Sequence, residues 1–254
     1  MLFNFIVGAS NLMKVQKSNI RNSKPWPLKD TMQQVYENKL WGGSDSDFYS
    51  GEGSHNPEIT EPYLNALKTF LNSLDNPITI CDLGCGDFNV GKELVKHTKK
   101  YVGVDIVPTL IERNKAKYKD ENLSFECLDI ASDELPIADC ALIRQVLQHL
   151  SNYEVELIVT KLHKYRYVIV AEHLPVGDFT PNKDIISDQG IRLKKQSGVD
   201  LLAPPFNFSV KETHRLASSV LKNNQGIIET VLYVTFATNM PISGLNNIQE
   251  CSAL

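Results

Sequence analysis

The chain has 254 residues, 42% hydrophobic and 22% charged, with a formal net charge of −4. That is enough chain for one α/β domain with accessory segments, and the composition is that of an ordinary globular protein. No strong basic field is available to hold nucleic acid; the basic residues between Lys14 and Lys29 are a local exception and read as a solvated, mobile arm. The opening Met1–Ser10 is apolar but too short to span a bilayer, and it lacks the charged start and small-residue cleavage site of a signal. It reads as a buried strand or a docked segment. The cysteines (Cys81, Cys85, Cys127, Cys140 and Cys251) are odd in number and fit no zinc spacing. A reduced, cytoplasmic protein with no bound metal is the expectation.

Up to about Glu58 the chain reads as irregular, rich in Asn, Ser, Gly and Asp. A helix then opens, with Thr60 as its cap, Pro62 in its first turn, and Leu64, Leu67, Leu71 and Leu74 as an apolar stripe. From Ile78 strands and helices alternate. Strands are predicted at Ile78–Leu83, Tyr101–Ile106, Leu123–Ile130, Ala138–Val146 and Arg166–Leu174. Helices are predicted at Val90–Lys100, Pro108–Lys119 and Ser151–His163, the last opened by a capping box of Ser151 and Glu154. Continuous apolar strands alternating with helices imply a parallel sheet covered on both faces, with right-handed crossovers. Pro175–Asn207 is a long polar segment of weak periodicity, and such loops are usually functional or disordered. Val210–Leu221 and a clear strand, Ile227–Ala237, close the chain across a short turn, which suggests an antiparallel pair at the sheet edge.

The chemistry concentrates at the strand ends. Asp82-Leu83-Gly84-Cys85-Gly86-Asp87 falls where the first strand turns, and glycines there let the backbone approach a ligand closely. Asp105 ends the second strand, near the spacing at which a carboxylate can bind ribose hydroxyls. Asp129 ends the third. Three consecutive strand ends thus offer polar groups at the edge where open α/β sheets bind ligands. A lone Gly-x-Gly could be only a packing turn; the ordered set is far more specific. A dinucleotide loop wants a third glycine at position 89, where Asn89 stands, and Gly91 comes two residues late.

Residues 78–174 resemble the core of class I S-adenosylmethionine-dependent methyltransferases. Ile78–Gly86 is similar to that family's first motif, an acidic residue followed by Gly-x-Gly. Asp105 and Asp129 match its acidic residues after the second and third strands. Arg144–Leu150, reading RQVLQHL, resembles the segment after its fourth strand. At Phe88 the family usually has a further glycine. The resemblance implies a Rossmann-like, doubly wound sheet, mostly parallel with an antiparallel closing strand, and S-adenosylmethionine as cofactor. It implies a cofactor site of Asp82, Gly84, Cys85 and Gly86 in the loop, with the two glycines under the amino-acid part. Asp105 would bind the ribose, Asp129 would face the adenine amino group, and Ile106 and Ile130 would lie beside the ring. Arg144 and Gln145 would lie near the methionine moiety.

The flanks supply the other expectations. Tyr36–Ser54 sets Trp41, Phe48 and Tyr49 among glycines and hydroxyls and resembles the N-terminal segment of some bacterial small-molecule or glycan-associated methyltransferases. Residues 1–59 are thus expected as an arm and active-site lid, 60–254 as the methyltransferase domain, and 175–207 as a substrate-side insertion. Trp41, Tyr49 and Arg192 are expected to touch the substrate. A hydroxyl acceptor needs a base. His149 and His173 are placed for that role, with Glu172 as a second choice beside His173; His55, His97, His163 and His214 read as surface or structural. The expected function is methyl transfer to a small-molecule or sugar-like acceptor, without nucleic acid or membrane. A non-catalytic cofactor-binding relative and an NAD-type oxidoreductase are the alternatives. The atom methylated and the oligomeric state stay open.

Overall fold

The computed structural model describes residues 27–43, 47–222 and 226–237. The expectations for Met1–Ser10, for most of the basic stretch from Lys14, for positions 44–46 of the lid and for Cys251 lie outside the described residues.

Seven strands form one sheet: β1 (Thr79–Leu83), β2 (Lys100–Asp105), β3 (Leu123–Cys127), β4 (Cys140–Arg144), β5 (Tyr167–Leu174), β6 (Glu212–Val220) and β7 (Ile227–Val234). Their order is β3-β2-β1-β4-β5-β7-β6. The first five are parallel, and β7 runs antiparallel between β5 and β6. The two-residue period of each strand divides the core into two layers. Cys81, Leu83, Val102, Val104, Ala141, Ile143, Val168 and Val170 face one layer, with Leu110 of α4 (Pro108–Lys117) and Val155, Ile158, Val159 and Leu162 of α5 (Asn152–Leu162). Ile80, Tyr101, Cys140, Leu142, Tyr167 and Ile169 face the other, against Tyr63, Leu67, Phe70 and Leu71 of α3 (Pro57–Asn72). Both faces are covered, as the continuous apolar strands require.

Several boundaries differ from expectation, each for a local reason. Helix α3 starts three residues before Thr60, because Asn56 caps it by accepting from the Glu58 amide at 3.0 Å; Thr60 is buried inside. The capping box of α5 forms as expected, with the Ser151 amide donating to Glu154 Oε2 at 3.0 Å. Val90–Lys100 is not an α-helix but two single 3-10 turns, Gly91–Glu93 and Val95–His97. Gly91 abuts the Phe88 ring, and the Thr98 hydroxyl donates back to the Val95 carbonyl at 2.8 Å, so the chain turns before a helix can continue. The N-terminal third is not irregular throughout: it holds α1 (Leu28–Glu37), whose Met32 and Val35 are buried, and the short α2 (Glu52–His55).

The segment 175–207 carries one 3-10 turn, Arg192–Lys195, and is packed rather than loose. Val199, Leu201 and Phe206 enter the core, and buried Asn182 donates its amide to the Asp200 carbonyl at 2.8 Å and the Pro204 carbonyl at 3.0 Å. Among the described residues no helix is long and apolar enough to cross a membrane.

Candidate active site

The strand order reverses between β1 and β4, which opens a crevice beyond their carboxyl ends. β1 runs straight into the glycine loop. The Gly84 and Cys85 amides both donate to the Val104 carbonyl, at 2.8 and 2.9 Å, so the loop is fastened to β2. Gly84 and Gly86 have φ of 86° and 56°, in the left-handed region that glycine tolerates best. A Cβ on Gly86 would sit 2.5 Å from Ser50 Oγ, and one on Gly84 would collide with the Val146 side chain. Phe88 takes φ 63° where a glycine would be easier; its buried ring lies edge-on to Tyr101, Tyr118 and Phe125 and holds it there. Behind the loop, the fully buried Asn114 of α4 donates to the Gly86 carbonyl at 2.7 Å.

Two buried carboxylates stand under this loop. Asp105 accepts from the Gly86 amide through Oδ2 and from the Val107 amide through Oδ1, each at 3.1 Å. Burial raises its pKa from 3.8 to about 6, and the backbone donors oppose the rise. A carboxylate has about four lone-pair sites, so acceptor capacity remains beyond its backbone donors. Asp82 accepts from the Tyr101 hydroxyl at 2.8 Å, and burial raises it likewise to about 6. Burial also pushes the Cys85 thiol up. Asp129 accepts from the Ala131 amide at 2.9 Å, turning the chain after β3 so that Ile130 joins the crevice wall.

After β4, Arg144 donates through Nη1 to Ser54 Oγ at 3.2 Å and through Nη2 to the Gly53 carbonyl, and its guanidinium lies 5.2 Å from the Tyr63 ring centre. Gln145 follows at φ 55°, with its Nε2 buried and without a hydrogen-bond partner. Glu172 is an anchor for this turn: its carboxylate accepts the amides of Val146, Leu147 and Gln148 at 3.1, 2.8 and 3.2 Å. Burial raises it to about 7. Committed to three amides, it is poorly placed to take a proton from a substrate. His149 pairs Nδ1 with the Gly190 carbonyl at 2.8 Å, so that nitrogen carries the hydrogen. Burial lowers its pKa to about 4, leaving a neutral ring.

The N-terminal segment closes over this edge. Ser50 and Asp87 bond reciprocally, Ser50 amide to Asp87 Oδ2 at 2.9 Å and Asp87 amide to Ser50 Oγ at 2.8 Å. Tyr36 Oη lies 2.9 Å from the same Ser50 Oγ, and His55 Nε2 lies 2.6 Å from Asp87 Oδ2. Asp47 pairs with Arg113 and Lys117 of α4 and its pKa falls well below the ordinary range, chiefly through the Arg113 hydrogen bond. Trp41 packs 5.2 Å from the His149 ring and donates Nε1 to the Gln189 carbonyl at 3.4 Å. The two covering segments therefore meet above the crevice.

Beneath them lies one cavity of about 500 Å³. Asp82, Gly84, Cys85, Gly86, Asp105, Ile106, Asp129, Ile130, Arg144, Gln145, His149, His173 and Trp41 all line it. Tyr49 and Arg192 do not. Tyr49 stacks on His55 at 4.3 Å and donates to Glu52 at 2.6 Å. Arg192 is fully buried and spends its guanidinium on the Leu150 and Lys183 carbonyls, at 2.5 and 2.6 Å, tying the loop to the turn after β4. Its expected contact with substrate is replaced by this internal clamp. Met32, Tyr36, Tyr63, Gln148, Gln189 and Lys194 also line the cavity. Tyr36, Gln148, Gln189 and Lys194 fall in segments that the sequence marks out without picking these residues from their neighbours; Met32 and Tyr63 carry no such signal. His55, expected to be surface or structural, touches Asp87 beside the glycine loop.

Residues 80–165 match a family model described as a methyltransferase domain. No curated protein matches the chain. Among solved structures it is similar to the N-methyltransferase NodS from Bradyrhizobium japonicum in complex with S-adenosylhomocysteine, with a TM-score of 0.60 and 14% identity over 81% of this chain and 99% of that one. It is similar to magnesium protoporphyrin IX methyltransferase from Synechocystis with bound S-adenosylmethionine, with a TM-score of 0.53 and 14% identity over 84% and 100% of the two chains. A third is the 1,6-didemethyltoxoflavin-N1-methyltransferase from Burkholderia thailandensis, with a TM-score of 0.51 and 15% identity over 82% and 87%.

Proposed function

We propose that this chain, in which residues 80–165 match a methyltransferase domain, is a class I S-adenosylmethionine-dependent methyltransferase that methylates a small-molecule or sugar-like acceptor. The observation that carries this reading is the roof. Trp41 from the N-terminal side bonds the Gln189 carbonyl from the 175–207 side, so the cavity runs under a joined cover. An acceptor that fits beneath it is compact. NodS is named an N-methyltransferase, and the other two are named for 1,6-didemethyltoxoflavin and magnesium protoporphyrin IX, so similar folds are named for unlike acceptors.

The cofactor fits the residues present. Asp105 keeps lone pairs for the ribose hydroxyls, and charged acceptors give the stronger hydrogen bonds. Gln145 holds an unpartnered buried amide nitrogen, a donor suited to a carboxylate such as that of the methionine part. Ile106 and Ile130 give apolar walls for adenine beside Asp129. When bound, the cofactor supplies a methyl group already activated by its sulfonium. The protein's part is then to orient the acceptor, exclude water and receive a proton where the acceptor is a hydroxyl. His173 is our candidate for the proton. It lines the cavity, and a Cβ on neighbouring Gly226 would lie 2.6 Å from its Nε2. His149, held near 4, is too weak a base for that task at neutral pH and serves to orient. We place the protein in the cytoplasm on its unpaired cysteines among the described residues.

The test is incubation with methyl-labelled S-adenosylmethionine and a fractionated cell extract. Label should enter a low-molecular-weight product. Label confined to protein or RNA would overturn the small-molecule reading.

A further inference from the structure

The orphaned oxygen of Gln148 points to how the acceptor is recognised. Gln148 lies in the 3-10 turn after β4, is only 4% exposed, and lines the cavity beside His149, Leu150 and His173. Its Oε1 is fully buried and has no hydrogen-bond partner. A buried acceptor left without a donor is destabilising, so a ligand that supplies one gains by it. Its orientation is set by a relay. His149 gives its Nδ1 hydrogen to the Gly190 carbonyl, so Nε2 keeps a lone pair. Gln148 Nε2 lies 3.4 Å from that lone pair and donates to it. The amide is thereby fixed with nitrogen toward His149 and oxygen free. Glu172 fixes the backbone under it by accepting the Gln148 amide at 3.2 Å. Gln148 lines the cavity together with His173 of β5 and with Gln189, Gly190 and Ile191.

Resting on the reading of this cavity as a methyltransferase site, we propose that Gln148 Oε1 is a specificity-determining contact that accepts a hydrogen bond from an N–H or O–H group of the methyl acceptor, with His149 as the positioning residue that sets the amide's orientation. Trp41, Leu150, Ile191 and Ile228 give the same cavity apolar and aromatic walls, beside the polar His173 and Lys194. The ligand class is therefore a compact ring or chain carrying at least one hydrogen-bond donor. A fully alkylated analogue of the same shape leaves Oε1 unpaired, and a site built to bond an N–H or O–H rejects such analogues strongly.

The test uses the full chain loaded with S-adenosylhomocysteine and matched fragment pairs titrated by ligand-observed NMR. The pairs are aniline with N,N-dimethylaniline, phenol with anisole, and indole with 1-methylindole. The donor-bearing member of a pair should bind about tenfold more tightly than its alkylated partner. Gln148→Met should erase that preference while the alkylated partner binds as before. His149→Ala, which releases the amide to turn over, should collapse the same ratio without abolishing fragment binding, a change that general loss of packing does not produce selectively. Equal affinities within every pair in the wild type, or a ratio that survives Gln148→Met, would overturn the role of Gln148 and leave the methyltransferase reading standing. Failure of all six fragments to bind would overturn this proposal, while the small-molecule reading stands or falls separately on the labelling experiment.

Discussion

Three buried carboxylates at one sheet edge give the site a pH signature. Asp82 and Asp105 rise from 3.8 to about 6 and Glu172 from 4.5 to about 7, all mainly because burial disfavours the charged form. Folding therefore takes up protons between about pH 4 and 7. The stabilisation these groups contribute is fully present below about pH 4 and is lost as pH rises through 6 to 7. Denaturant melts of ligand-free wild type and Asp105→Asn should show the wild type losing stability relative to the variant across that window; parallel curves would mean that Asp105 does not titrate there. Affinity for S-adenosylhomocysteine should move oppositely, weakening as pH falls through about 6, because a protonated Asp105 is a poorer acceptor for hydroxyls. Gly86 is the second sensitive residue. Its φ is 56°, and any Cβ added there meets Ser50 Oγ at 2.5 Å. Gly86→Ala should therefore weaken cofactor binding, and Gly86→Val should weaken it more. Normal binding by the Val variant would reduce the loop to a turn.

At the scale of elements, the capping box is the cleanest case of sequence dictating structure. Ser151→Ala removes the hydroxyl that receives the Glu154 amide and should cost about 1 kcal/mol, lowering the melting temperature by roughly 2–4 °C in a chain of this size. An unchanged melting temperature would mean that α5 is held by its buried face alone. Strands β1, β2, β4 and β5 are legible as short apolar runs bounded by turn residues, whereas the edge strand β3, with Ser124 and Glu126 in it and only Phe125 buried, is legible mainly by its place in the alternation. Val90–Lys100 misleads because the helical spacing of Val90, Leu94 and Val95 is also satisfied by two 3-10 turns packed on Phe88. The α1 helix carries a stripe of Leu28, Met32, Val35 and Tyr36 at helical spacing, which the Asn-, Ser- and Gly-rich sequence around it conceals. In the site, strand-end glycines and carboxylates are legible because their chemistry is local. Arg192 and Tyr49 are not, because their partners, the Leu150 carbonyl and Glu52 with His55, depend on how distant or neighbouring loops fold.

Across the whole molecule, the cover ties the site together. Ser50 and Asp87 clasp the N-terminal segment to the glycine loop, while Trp41 reaches the 175–207 segment at Gln189 and rests on His149. A ligand that fills the cavity should quiet both sides at once. Hydrogen exchange in residues 47–55 and 182–200 should slow together on adding S-adenosylhomocysteine; slowing on one side alone would separate the two covers. The central claim is that the carboxylate at the end of β2 holds a cofactor beneath that cover, and calorimetric titration with S-adenosylhomocysteine tests it most directly. Wild-type protein should bind at one saturable site, and Asp105→Ala, with its fold verified by circular dichroism, should bind about ten- to a hundredfold more weakly. Absence of binding by the wild type, or equal affinity in the variant, would contradict the account.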